Sequence, residues 1–157
     1  MILPDGSEIV PDGTVICAQS ARDIASMMQL WIKVYWGGGV MNDGKLLAKS
    51  KAFAKEIVLA MRNIRNIERE YVMTDQLLRS GTSIGANVYE STYAQGRLDF
   101  ISKLEIALKE CYESEYWLDL LFETNYLKEQ TYRTLKNDCG AIRKMLISSC
   151  TTAKAGN

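Results

Sequence analysis

The chain has 157 residues, and 47% of them are hydrophobic. That is enough for one domain with a substantial core, and it argues against disorder over most of the chain. Its 19 basic and 19 acidic residues cancel, so the overall positive charge of a strongly basic nucleic-acid-binding domain is missing, although a local basic patch remains compatible with that balance.

The opening run MILPDGSEIVPDG is acidic and rich in turn formers, unlike a basic leader followed by an apolar core. No apolar run reaches membrane-spanning length, and a cytoplasmic location is the expectation. Pro-Asp-Gly occurs twice, each time followed by Ser or Thr, which suits tight turns and short strands over residues 8–10 and 14–18. A helix is expected next, within SARDIASMMQLWIKVYW, where Ser20 and Asp23 have capping spacing and Ile24, Met27, Met28 and Trp31 share a face. Glycines at 37–39 then break the chain. Residues 1–40 are read as an N-terminal extension, 41–152 as the main domain and 153–157 as a frayed tail.

After Pro11 no proline occurs, and the spacing predicts four helices over residues 45–66, 75–93, 97–123 and 128–149. Leu46, Ser50, Phe53, Ile57, Ala60 or Met61, and Ile64 line the first. Leu77, Gly81, Ile84, Val88 and Ser91 line the second, with Thr74 as its candidate N-cap. Ile101, Leu104, Leu108, Cys111, Leu118 and Phe122 are in phase on the third, and Tyr132, Leu135, Cys139, Ile142 and Leu146 on the fourth. The connections are short, so the fold class is all-α: an antiparallel up-down-up-down four-helix bundle, with an extra N-terminal strand-and-helix segment.

Histidine is absent, which removes histidine triads, histidine-bearing zinc sites and the commonest general base. Di-metal bundles need Glu-x-x-His pairs, so Glu90, Glu105 and Glu113 do not make one. Cys17, Cys111, Cys139 and Cys150 have apolar neighbours and no C-x-x-C spacing, and read as small buried hydrophobes. No metal, cofactor or catalytic group is expected.

The run LLRSGTSIGANVYES, residues 77–91, admits two readings. A phosphate-binding loop needs G-x-x-x-x-G-K-[ST] after a strand, but Gly81 and Gly85 are too close together and no lysine follows. The alternative is a helix with a thin face, on which Gly81 and Gly85 let a neighbour approach closely. Two glycines cost about 2 kcal/mol of helix propensity, so that packing must be tight.

The same run resembles the signature of the four-helix-bundle family encoded in intervening sequences of bacterial large-subunit ribosomal RNA. Gln76, Leu77, Arg79, Ser83, Ile84, Asn87 and Glu90 match Q-L-x-R-x-x-x-S-I-x-x-N-x-x-E. KLLAKSKAFAKEIV is similar to the family's first helix, and FISKLEIALKECYESEYWLDLL to its third, including Glu113 and Glu115. Lys109-Glu110 departs from the more usual Gly-Ser. The resemblance spans residues 42–149 and leaves residues 1–40 without a counterpart, as a natural extension or an appended segment. It implies a non-enzymatic protein similar to the accessory variability protein of diversity-generating retroelements. A ring-shaped homopentamer follows from that similarity, with RNA, DNA or a reverse transcriptase as partner. The alternative is a structural oligomer or protein-interaction module that binds no nucleic acid.

The first and fourth helices are rich in Lys and Arg, and the third in Asp and Glu. Either basic and acidic helices pair between subunits, or Lys49, Lys55, Arg62, Arg65, Arg143 and Lys144 form a phosphate-binding rim. For Arg79, Ser83, Asn87, Glu90 and Glu113 the choice is a hydrogen-bonded network that sets helix register or a ligand contact.

Overall fold

The computed structural model describes residues 43–155 and two short strands, β1 (Glu8–Ile9) and β2 (Val15–Ile16). The chain separates into two units, Met1–Val40 and Met41–Asn157. In the first, β1 and β2 pair antiparallel, with Glu8 opposite Ile16 and Ile9 opposite Val15. They fall within the two expected strand segments. The expected helix after residue 20, the glycines at 37–39 and Cys17 lie outside the described residues.

The second unit is built from α1 (Asp43–Glu68), α2 (Val72–Ser91), α3 (Arg97–Glu123) and α4 (Glu129–Ala155). Each helix packs on its neighbours in sequence, and α1 packs on α4 to close the bundle. Ser114 meets Ser80 while Lys103 meets Glu90, so contacts descend α3 as they climb α2, as an antiparallel pair requires. This is the expected up-down-up-down bundle.

The core follows the helical period. Leu46, Ser50, Phe53, Ile57, Met61 and Ile64 are buried on α1, and Leu77, Ser80, Gly81, Ile84 and Val88 on α2. On α4 the seam is Leu135, Cys139, Ile142, Leu146 and Cys150. On α3 the seam is rotated from the expected one. Phe100, Leu104, Ala107, Cys111, Ser114, Leu118 and Leu121 are buried, while Ile101, Leu108 and Phe122 are half-buried. The small residues Ala107 and Ser114 face inward, and Phe122 turns to the α4 flank, where its ring stacks on Tyr132 with centroids 4.2 Å apart.

The glycine-serine run is helix, and its thin face meets α1. A methyl group added at Gly81 would lie 3.2 Å from both Cγ atoms of Ile57, and one at Gly85 would lie 3.6 Å from the Ser50 carbonyl group. Gly140, by contrast, has nothing within 4 Å of that position. Gly140→Ala should therefore stabilise the bundle by about 1 kcal/mol through helix propensity alone. A higher melting temperature would confirm it, and an unchanged or lower one would mean that unseen packing opposes the added methyl.

Two helix ends differ from expectation. α2 starts at Val72 rather than after Thr74, because the Glu70 carboxylate accepts hydrogen bonds from the backbone N–H groups of Met73 and Thr74, both 2.9 Å. A carboxylate is well matched to the partial positive charge at a helix start. Thr74 is instead buried, donating to the Glu70 carbonyl at 2.8 Å. α4 continues through residues 153–155, which were expected to fray. Arg97 holds that last turn, donating to the carbonyl oxygens of Ala153 and Lys154 at 2.7 and 2.9 Å. Such carbonyls have no partner within the helix, so a guanidinium there favours the extra turn.

A candidate nucleic-acid interface

The nominated basic residues divide into two groups. Lys49 points to the α4 side of α1, where its ammonium group lies 2.9 Å from Asp138. Arg65 points to the α2 side. It pairs with Asp75, donates to Thr74 Oγ1 at 2.9 Å and sits 5.8 Å from the centre of the Tyr71 ring. Arg143 donates to Glu115 at 2.9 Å and lies 5.5 Å from the Tyr112 ring centre. The Glu115 carboxylate raises its pKa. Lys55, Arg62 and Lys144 are exposed, and none forms a salt bridge among the described residues.

The reason is angular. A helix turns about 100° per residue, so Lys49 and Lys55 lie roughly 120° apart around α1. Lys51, Lys55, Val58 and Arg62 follow i, i+4, i+7 and i+11 and make one outward stripe. All four are exposed. Glu56 stands seven residues from Lys49 and belongs to the stripe facing α4, so the outward stripe itself carries no carboxylate. Lys51 is a member that the sequence reading did not nominate. Its spacing of four from Lys55 was the available signal.

Three carboxylates of the acidic helix are neutralised inside the chain. Glu105 pairs with Lys154 at 2.6 Å, Glu115 with Arg143, and Asp119 with Lys136 at 2.7 Å, all between α3 and α4. The Lys154 ammonium group holds the Glu105 carboxyl below its usual range. These are surface pairs, each contributing about 0–1 kcal/mol, and their consequence is where charge is left over. Positive charge is left on the outward stripe of α1, and negative charge at Asp99, Glu110, Glu113 and Glu123 of α3, none of which forms a salt bridge among the described residues.

The residues expected to set helix register have other partners. Asn87 donates to the Ser83 carbonyl of its own helix at 2.9 Å, Glu90 pairs with Lys103, and Glu113 accepts from the Trp117 ring nitrogen at 3.2 Å. Arg79 is exposed near Glu110. Burial and the neighbouring Glu113 raise the Glu110 pKa, against the pull of Arg79. The expected network with Glu113 is thus not formed, because Glu113 is on the solvent side of α3. A buried hydroxyl pair joins the helices instead. Ser114 donates to Ser80 Oγ at 3.0 Å, and Ser80 reaches the Leu77 carbonyl at 3.5 Å. Both serines occupy apolar-seam positions in the sequence, and that placement was the signal missed.

Cys111, Cys139 and Cys150 are free and buried. Cys139 Sγ lies 3.5 Å from the Cys111 carbonyl, and the Cys111 thiol is driven far up by its hydrogen bond with Cys139 and by burial. Both side chains are buried, so Cys111 and Cys139 should resist alkylation in the native protein and label fully in denaturant. Rapid native labelling at either residue, read by peptide mass, would contradict this packing.

No helix among the described residues is long and apolar enough to cross a membrane. Residues 42–148 match the family described as 23S rRNA-intervening sequence protein. No curated protein matches the chain. Among solved structures, it is similar to a protein of unknown function from the S23 ribosomal protein family of Bacteroides thetaiotaomicron VPI-5482. That similarity has 49% identity and a TM-score of 0.69, and covers 71% of this chain and 99% of the other. Neither comparison indicates an enzyme family. With this four-helix bundle, its α2 signature and a family match over residues 42–148, the chain belongs to the 23S rRNA-intervening sequence protein family.

Proposed function

We propose that the protein is a non-enzymatic, cytoplasmic, homo-oligomeric accessory protein that binds nucleic acid through the outward stripe of α1. The observation that carries this reading is the stripe itself: Lys51, Lys55 and Arg62 are exposed, aligned and free of carboxylate partners among the described residues. Neighbouring basic residues on α1 and α4 are held by Asp138, Asp75 and Glu115. Cations aligned without counter-charges favour a polyanion, since binding releases the polyanion's condensed counterions. A reverse transcriptase is the protein partner that fits, because such an enzyme works on the nucleic acid this face would hold. Free buried thiols fit a reducing compartment.

For the assembly, α3 supplies a second surface. Leu98, Ile106, Tyr112 and Tyr116 are exposed on its outer side. Exposed tyrosines with aliphatic neighbours are the composition of protein interfaces. Self-association there, as a homopentamer, is expected in light scattering at micromolar concentration, and a stable monomer would refute it.

The binding claim is tested by fluorescence anisotropy with labelled RNA and DNA at low salt. Lys55→Gln with Arg62→Gln should weaken both, whereas Lys49→Gln with Arg143→Gln should retain most affinity. The opposite ranking, or no binding by the parent protein, would overturn the assignment.

A further inference from the structure

The outward stripe of α1 has an aromatic neighbour on α2. Tyr89 and Tyr93 are exposed by 53% and 62%, their rings meet edge to face with centroids 5.3 Å apart, and their hydroxyl oxygens are 3.3 Å apart. Their position relative to the lysines is set by the glycine face. A Cβ at Gly85 would lie 3.8 Å from the Lys51 backbone nitrogen, so α1 and α2 touch backbone to backbone at that level. Tyr89 is one helical turn beyond Gly85 on the same side of α2, and Tyr93 follows in the turn just after the helix ends at Ser91, its ring against that of Tyr89. Side chains on a helix lean towards its N-terminus. The helices are antiparallel, so Lys51 leans towards the level of Tyr89 and Tyr89 leans back towards the level of Lys51. The outer α1–α2 groove therefore combines cations from one wall with two exposed rings from the other.

We propose that this groove selects single-stranded over double-stranded nucleic acid, with phosphates held by Lys51, Lys55 and Arg62 and unpaired bases stacked on Tyr89 and Tyr93. This rests on the reading of the α1 stripe and adds the form of the ligand. Cations alone do not distinguish a duplex from a single strand. Exposed rings do, because only an unpaired base offers its face for stacking. Tyrosine rings also accept any base, so RNA and DNA single strands of mixed sequence both bind, the shared chemistry being base and phosphate.

The test uses the full chain with short fluorescent oligonucleotides of one mixed sequence, as single-stranded RNA, single-stranded DNA and the DNA duplex. Tyr89→Ala with Tyr93→Ala should weaken both single strands on the order of tenfold or more and leave the duplex unchanged. Tyr89→Phe with Tyr93→Phe keeps the rings and should keep the affinity. Circular dichroism verifies that each variant retains the parent's helicity. Alanine variants that bind single strands like the parent, or lose single strand and duplex equally, overturn the stacking assignment while the α1 stripe stands. A parent protein that binds none of the three ligands overturns both.

Discussion

Replacing Gly81 with leucine is expected to destabilise the bundle by about 1–3 kcal/mol, the usual cost of forcing extra carbons into a packed core. Gly81 is buried, and even a methyl group there would come within 3.2 Å of two carbons of Ile57. Ile57 is itself fully buried and β-branched, so it has few alternative rotamers to retreat into. The remaining three carbons of leucine would have to push α1 away from α2. That would also part the backbones at Gly85, where the approach to Ser50 is at ordinary van der Waals distance. Gly85→Ala is the matching control. It fits the existing space and should be neutral or slightly stabilising, through better helix propensity. Chemical denaturation of both variants decides the matter. Equal melting of Gly81→Leu and parent would mean that α2 does not lie on α1 as described.

Removing the outward cations of α1 is expected to make nucleic-acid binding both weaker and less sensitive to salt. With Lys51, Lys55 and Arg62 all replaced by glutamine, three phosphate contacts are lost. Each contact contributes about 0.7 to the salt slope on a single strand and about 0.9 on duplex DNA, so the slope should fall by about 2–3. The loss should be similar for unrelated sequences, because phosphate contacts carry no base information. Folding should be unaffected, since these side chains are exposed and make no salt bridge among the described residues. An unchanged slope would place the phosphates elsewhere on the molecule.

Much of the bundle is legible in its residues. On α1 the steps of three and four from Leu46 to Ile64 name every buried position, and only the choice between Ala60 and Met61 needed the structure. The two glycines of α2 announce a close approach before its partner is known. The α3 seam is less legible because that helix is apolar on several sides, and the period alone cannot say whether Leu108 or Ala107 faces inward. The answer depends on how near α2 comes. The fate of the basic residues is hidden for a related reason. Lys49 and Lys55 look equivalent in sequence, but whether each meets a carboxylate depends on which flank of α1 adjoins α4 and what α4 carries there. Charge segregation by helix allowed either pairing between subunits or a phosphate-binding rim, and could not announce the three pairs that α3 and α4 form within one chain. Ser80 and Ser114 meet across two apolar seams, whereas the buried Ser50 and Ser91 bond carbonyls of their own helices, so the sequence alone does not say which seam serine has a partner opposite.

The most direct measurement is a lysine footprint. The protein is acetylated briefly at low salt, with and without a mixed-sequence single-stranded oligonucleotide, and the modified lysines are identified by peptide mass. Binding along the outward stripe of α1 predicts that Lys51 and Lys55 become protected while Lys49 and Lys136, held by Asp138 and Asp119, change little. Protection absent from Lys51 and Lys55, or concentrated on the paired lysines instead, would contradict the assignment of this face.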